Sequence, residues 1–130
     1  METILVVDDN PLVRDLLIRT IGSKGYSVLE AASGTEAVRL ARCFHESIAL
    51  AIIDQTLGDA KGTDLAAEIA RIVHGVRVLV ISGSLKEDVI TTLLQSNSAL
   101  DFLQKPFSTT LLCETIRQML DQDDPKPPAA

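Results

Sequence analysis

Short apolar runs and longer amphipathic stretches alternate along this chain. The first run is Ile4-Leu5-Val6-Val7, the third Ile48-Ala49-Leu50-Ala51-Ile52-Ile53, and the fourth Val76-Arg77-Val78-Leu79-Val80-Ile81. These are nearly continuous and rich in β-branched residues, which suits parallel strands covered on both faces. A weaker second run, Ser27-Val28-Leu29-Glu30-Ala31, and a short fifth, Phe102-Leu103, complete the set. Between the runs, apolar residues recur at helical spacing. Asn10 suits an N-cap and Pro11 the first helical position. They precede a stripe of Leu12, Val13, Leu16, Leu17 and Ile21 that Gly22 or Gly25 would end. Ser33-Gly34-Thr35-Glu36 has the form of a capping box ahead of Ala37, Leu40, Ala41 and Phe44. Leu65, Ala66, Ile69 and Val73 predict a third helix closing near Gly75, and Val89, Ile90, Leu93 and Leu94 a fourth. Asn97 could take the left-handed conformation that ends that fourth helix. Ser108 would cap a last helix with the stripe Leu111, Leu112, Thr115, Ile116 and Met119. Strand and helix in strict alternation predict an α/β fold: a doubly wound, five-stranded parallel sheet with helices on both faces.

Composition narrows this picture. With 130 residues, 46% of them hydrophobic, the chain can enclose one core. Aromatic residues make up only 3% and tryptophan is absent, so that core must be aliphatic. The domain is expected over residues 1–120. Residues 121–130, Asp-Gln-Asp-Asp-Pro-Lys-Pro-Pro-Ala-Ala, have nothing to bury and read as a flexible acidic, Pro-rich tail. A net charge of −6 and a pI near 4.8 argue against direct nucleic-acid binding. No apolar run approaches the roughly 20 residues that span a bilayer, and Met1-Glu2-Thr3 carries no basic leader. A cytoplasmic module without membrane contact is expected, with Cys43 and Cys113 as reduced thiols. His45 and His74 read as surface residues, and Asp59, Asp64 and Asp101 as solvated loop charges or caps.

The informative polar residues stand at strand ends. Asp8 and Asp9 follow the first run, Asp54 the third, Ser82 the fourth, and Lys105 lies just past the fifth. In an open α/β sheet all of these fall at the carboxyl edge, where such folds place their ligands. The second run ends in Ala31-Ala32, as befits an edge strand away from the site. Convergent carboxylates are costly: two unit charges about 4 Å apart repel by roughly 4 kcal/mol at an effective dielectric near 20. The cluster must take up a proton or a cation, and a few hard oxygen donors suit Mg²⁺, which keeps several waters. With the Lys105 ammonium and the Ser82 hydroxyl nearby, the set describes a phosphoryl-transfer site.

These residues carry a resemblance. Ile4-Leu5-Val6-Val7-Asp8-Asp9-Asn10, Ala51-Ile52-Ile53-Asp54, Val80-Ile81-Ser82-Gly83 and Asp101-Phe102-Leu103-Gln104-Lys105-Pro106-Phe107 resemble, in order, the receiver domain of two-component response regulators over roughly residues 3–120. The resemblance implies a flavodoxin-like strand order, 2-1-3-4-5, and that Asp54 accepts the phosphoryl group. Asp9 would bind Mg²⁺ directly, Asp8 mostly through water, and the backbone carbonyl of Thr56 would be a further ligand. Ser82 would bond the phosphoryl group and Lys105 pair with it. Phe102 takes the place of the switch aromatic, and the Lys105-Pro106 bond is expected to be cis. The implied partners are a sensor histidine kinase or histidine phosphotransfer protein, meeting the first helix. A downstream protein or a second copy of the chain would meet the fourth helix, fifth strand and last helix. The sequence departs from the family pattern after Asp54, where Gly58 replaces the frequent proline. Gly58 and Gly62 bracket Asp59-Ala60-Lys61, so a loose loop is expected. Ser98-Ala99 stands where Gly-Ala is frequent, and Thr56 and Ser84 occupy variable positions that tune phosphoryl lifetime.

Two alternatives compete. Ile53-Asp54-Gln55-Thr56-Leu57 faintly resembles the Asp-x-Asp-Gly-Thr-Leu signature of haloacid-dehalogenase phosphohydrolases, but the nucleophile's place is Ile52. A pseudo-receiver, an interaction module that never takes phosphate, would not need the intact set of Asp8, Asp9, Asp54, Ser82 and Lys105.

Overall fold

The computed structural model describes residues 2–83 and 100–121. Five strands form one parallel sheet: β1 (Thr3–Val7), β2 (Ser27–Ala31), β3 (Ile48–Asp54), β4 (Arg77–Ser82) and β5 (Leu100–Gln104). Their order is β2-β1-β3-β4-β5, as predicted. The described helices are α1 (Pro11–Gly22), α2 (Gly34–Cys43), α3 (Gly62–Ile72) and a last helix, Thr109–Asp121. The predicted fourth helix, with Val89, Ile90, Leu93, Leu94 and Asn97, lies outside the described residues, as does most of the predicted tail. Asp121, assigned by composition to that tail, instead closes the last helix. Among the described residues no helix is long and apolar enough to cross a membrane.

Successive side chains of a strand point to opposite faces of a sheet, so the continuous apolar runs supply two cores. Ile4, Val6, Leu50, Ile52, Leu79 and Ile81 pack with Leu17 and Ile21 of α1 and with Leu112, Ile116 and Met119 of the last helix. The alternate residues Leu5, Val7, Ala51, Ile53, Val78 and Val80 pack with Ala37 and Ala41 of α2 and with Leu65, Ala66 and Ile69 of α3. Each fully buried Val, Leu or Ile contributes roughly 1.5–3 kcal/mol of transfer free energy. The core contains no aromatic side chain at full burial among the described residues.

The helix starts follow the sequence signals. Asn10 Oδ1 accepts from the Leu12 N–H at 2.9 Å, Ser33 Oγ from the Glu36 N–H at 3.1 Å, and Ser108 Oγ from the Leu111 N–H at 3.0 Å. The turns before β2 and β4 use Gly25 (φ 93°) and Gly75 (φ 79°) in the left-handed region. The predicted stripes are narrower than expected. Leu12 is 81% exposed, and Leu16 and Leu111 are also exposed. At 3.6 residues per turn each residue is rotated by about 100° from the next. Leu12 and Leu16 are therefore carried off the Val13–Leu17–Ile21 face, and Leu111 off the Leu112–Ile116 face. Phe44 drops out for a different reason: α2 ends at Cys43, and Phe44 is its exposed C-cap.

Candidate functional site

Parallel register decides which strand ends meet. Val7 pairs with Ile53, Asp54 with Ile81, and Ser82 with Gln104. Asp8 and Asp9, Asp54, Ser82 and Lys105 are thereby set side by side at the carboxyl edge, next to the point where chain order reverses between β1 and β3. One carboxylate oxygen from each of Asp8, Asp9 and Asp54 lies within 4.8 Å of the others. Asp8 and Asp54 are buried and Asp9 is exposed. Lys105 Nζ reaches to 3.6 Å from Asp54 Oδ1. Its backbone is held by a 2.9 Å bond from the Lys105 N–H to the Ser82 carbonyl, and the Lys105-Pro106 peptide is cis, as the resemblance implies. Ser82 is buried at the end of β4. Phe102 is half-buried against the core cluster on the α2–α3 side. His45, His74 and Cys43 are exposed, and both cysteines are free.

Crowding of the carboxylates shows at Asp8. Burial pushes the Asp8 carboxyl above the usual carboxylate range, and the negative charges of Asp54 and Asp9 push the same way. The Asn10 N–H, at 2.9 Å from Asp8 Oδ1, and the Lys105 ammonium oppose that rise. Arg14 donates through Nη1 to the Asp8 carbonyl at 2.8 Å, which fixes the turn from β1 into α1. The donors gathered here are hard oxygens on three side chains with one neighbouring ammonium, a set that fits a small hard dication.

The loop from Gln55 to Gly62 is not loose, contrary to the expectation drawn from its two glycines. The Gly62 N–H donates to the Gln55 carbonyl at 2.8 Å, the Leu57 N–H to the Ala60 carbonyl at 3.3 Å, and Thr56 bridges Lys61. A Cβ on Gly62 would stand 2.6 Å from the Asp54 carbonyl oxygen and 2.7 Å from Gln55 Cα. Gly62 is thus there for close approach, not for freedom. Lys61, the N-cap of α3, makes no side-chain cap bond, and Gln55 Oε1 accepts from the Thr63 N–H at 2.9 Å in its stead. The exposed Thr56 donates its N–H to Asp54 Oδ1 at 3.4 Å. A Cβ on Gly58 would be 4.0 Å from Asp9 Oδ2, so the loop passes close to the acid cluster.

Of the two readings offered for Asp59, a solvated charge or a cap, the structure bears out the cap. The Asp59 carboxylate accepts from the Gly34 N–H at 2.9 Å and from the Thr35 N–H and hydroxyl, each at 3.0 Å, at the start of α2. These bonds hold its carboxyl below the usual range. The sequence offered one hint, a helix start at Gly34-Thr35 with donors to satisfy, but nothing local that pointed to Asp59.

Residues 4–117 match the family described as the response regulator receiver domain. The chain belongs to that family. As a receiver domain of two-component systems it has relatives in different settings. It is 31% identical over 122 residues to the Sensor kinase CckA of Brucella abortus (strain 2308), and 33% identical over 124 residues to the Transcriptional regulatory protein GlrR of Escherichia coli (strain K12). Each alignment covers 94% of the receiver but only 13% and 27%, respectively, of those proteins' lengths. The crystal structure of the receiver domain from the hybrid histidine kinase CckA superposes with a TM-score of 0.78 at 30% identity, covering 91% of this chain and 98% of that one.

Proposed function

We propose that this receiver takes a phosphoryl group onto Asp54 with the help of Mg²⁺. The observation that carries the reading is the convergence on one buried carboxylate of two others and an ammonium: Asp8 and Asp9 within 4.8 Å, and Lys105 at 3.6 Å. An Asp54 oxygen attacks the phosphorus of a phosphohistidine, the P–N bond breaks, and the imidazole leaves with a proton from solvent. Asp9, Asp54 and the Thr56 carbonyl would hold Mg²⁺, with Asp8 acting mostly through water; the ion when bound supplies positive charge to the phosphoryl oxygens. Lys105 pairs with the transferred group, and the Ser82 hydroxyl donates to it. The acyl phosphate is then lost slowly to water, so the chain serves as a signalling module and not as a turnover enzyme.

The donor in this reading is a sensor histidine kinase or a histidine phosphotransfer protein that meets α1 beside Asp9 and Asn10. Output runs through residues 86–96, β5 and the last helix to a protein partner or a second copy of the chain, with Ser82 and Phe102 as the moving parts. The free thiols of Cys43 and Cys113 suit a cytoplasmic location.

The test is intact-mass spectrometry after incubation with acetyl phosphate and Mg²⁺. Wild-type protein gains one acid-labile phosphoryl group, and Asp54→Asn gains none. The same phosphorylated peak in Asp54→Asn would rule out this acceptor; continuous turnover would indicate a phosphohydrolase, and no uptake by the wild type a pseudo-receiver.

A further inference from the structure

The loop that follows Asp54 is held at both ends. At its base, Gln55 and Gly62 are joined backbone to backbone, and the Gln55 side chain caps α3 through Thr63. At its tip, Asp59 bonds to the start of α2, across 24 and 25 residues of sequence. Between these two anchors lie Thr56, whose N–H donates to Asp54 at 3.4 Å, and Gly58, where a Cβ would stand 4.0 Å from Asp9 Oδ2. Helix α2 does not need Asp59 to begin, because Ser33 already accepts from the Glu36 N–H. The Asp59 carboxylate takes the Gly34 and Thr35 donors that Ser33 leaves over.

We infer that Asp59 is a positioning residue for cation binding at Asp9 and Asp54, because it ties the tip of the 55–62 loop to α2 and so holds Thr56 and Gly58 against the acid cluster. The inference rests on the proposed reading of that cluster as the Mg²⁺ site. Asp59 itself touches neither the ion nor the phosphoryl group. It acts by removing loop conformations in which the Thr56 carbonyl is turned away, a cost that the ion would otherwise have to meet on binding. The tether bonds the first turn of α2 to the tip of this loop, as the Gln55 bonds to Gly62 and Thr63 join the first turn of α3 to its base.

The experiment compares the full chain with Asp59→Ala, Thr35→Val and Ser33→Ala. Mg²⁺ alone is titrated calorimetrically into phosphate-free protein, and amide exchange is followed at Thr56–Lys61 without metal. The rate of phosphoryl uptake from acetyl phosphate is then measured across Mg²⁺ concentrations. Asp59→Ala is expected to weaken Mg²⁺ binding by about tenfold, the lower end of what outer-shell supports contribute to metal sites. Exchange at Thr56–Lys61 should quicken, and the half-saturating Mg²⁺ for uptake should rise while the plateau rate stays near that of the wild type. Thr35→Val, which removes one of the three donors, should fall between. Ser33→Ala loosens the start of α2 without cutting the tether, and should lower the melting temperature with Mg²⁺ affinity unchanged. If Ser33→Ala weakens Mg²⁺ binding as much as Asp59→Ala does, the effect is general helix stability and the inference is overturned. It is likewise overturned if Asp59→Ala binds Mg²⁺ as the wild type does. A wild type that binds no Mg²⁺ overturns the site reading itself.

Discussion

Asp8 and Asp59 are both aspartates, displaced in opposite directions by their surroundings, and they answer to pH with opposite signs. Asp8 is raised by burial and by Asp54 and Asp9, so its ionised form costs the fold stability above its folded pKa, and the cost is relieved as pH falls through that value. Asp8→Asn should therefore raise the melting temperature of the metal-free protein by a few degrees at neutral pH, with the gain shrinking in acid. If Mg²⁺ binds as proposed, millimolar Mg²⁺ should stabilise the wild type by linkage, and the same variant should lose much of that gain. Thermal melts at neutral and acid pH, with and without Mg²⁺, check both parts; an Asp8→Asn protein less stable than the wild type without metal would contradict the account. Asp59 is lowered by its three α2 donors, so what it contributes is present above the unfolded carboxylate range and lost as pH falls through its folded value. The two also differ in how they could be read. The convergence of Asp8, Asp9, Asp54, Ser82 and Lys105 at one sheet edge was legible because a strand end is a local event in sequence. The role of Asp59 was not, because its partners lie far upstream and only the folded chain brings them together.

At the scale of elements, the strands and caps were legible and the phase of the helices was not. Hydrophobic runs with a sharp polar end define β1, β3 and β4 closely, whereas β5 proves longer than its apolar pair Phe102-Leu103, since Leu100, Asp101 and Gln104 also pair with β4. A leucine next to a core position counts toward a stripe on paper, yet one position is enough to turn it out to water, as at Leu12 and Leu111. A glycine's role was not legible either: Gly62 serves proximity and not flexibility, since the atoms that a Cβ would strike are backbone, Asp54 O and Gln55 Cα, which cannot swing aside. Gly62→Ala should destabilise the domain by about 1–3 kcal/mol, the usual penalty of overpacking. Because the displaced backbone is that of Asp54, phosphoryl uptake should fall with it. Gly22→Ala is the control, since nothing lies within 4 Å of a Cβ there and the residue is helical. Urea denaturation of the pair decides: equal midpoints would mean that the β3–α3 junction yields more easily than its geometry says.

For the whole molecule, the doubly wound class was legible because five apolar runs alternate with amphipathic stretches, whereas the order β2-β1-β3-β4-β5 was legible only through the family resemblance. Output is a property of the whole molecule too. In the proposed reading, negative charge on Asp54 would meet Ser82 and Lys105 at the ends of β4 and β5, two strands paired from Val78–Leu100 to Ser82–Gln104. Two states a few kcal/mol apart suffice for such a charge to shift the population. Amide shifts on adding beryllofluoride and Mg²⁺ should spread from Ser82 through residues 84–94 and along 99–107, with Phe102 among the most affected. Shifts confined to the loops that carry Asp9 and Thr56 would mean that no switch operates.

The sheet that joins these strands also keeps the two cores apart, and this has a consequence for how such a chain changes over generations. Ile4 and Val6 belong to one cluster, Leu5 and Val7 to the other, with the backbone between them. In close-packed interiors a lost methylene is felt by whatever touches it, so a volume lost beside α1 can be regained only beside α1 or the last helix, never on the α2–α3 side. Two families of apolar residues are thus free to drift separately along the same strands. Only where the strands end, at Asp8, Asp54 and Ser82, do both answer to the same requirement.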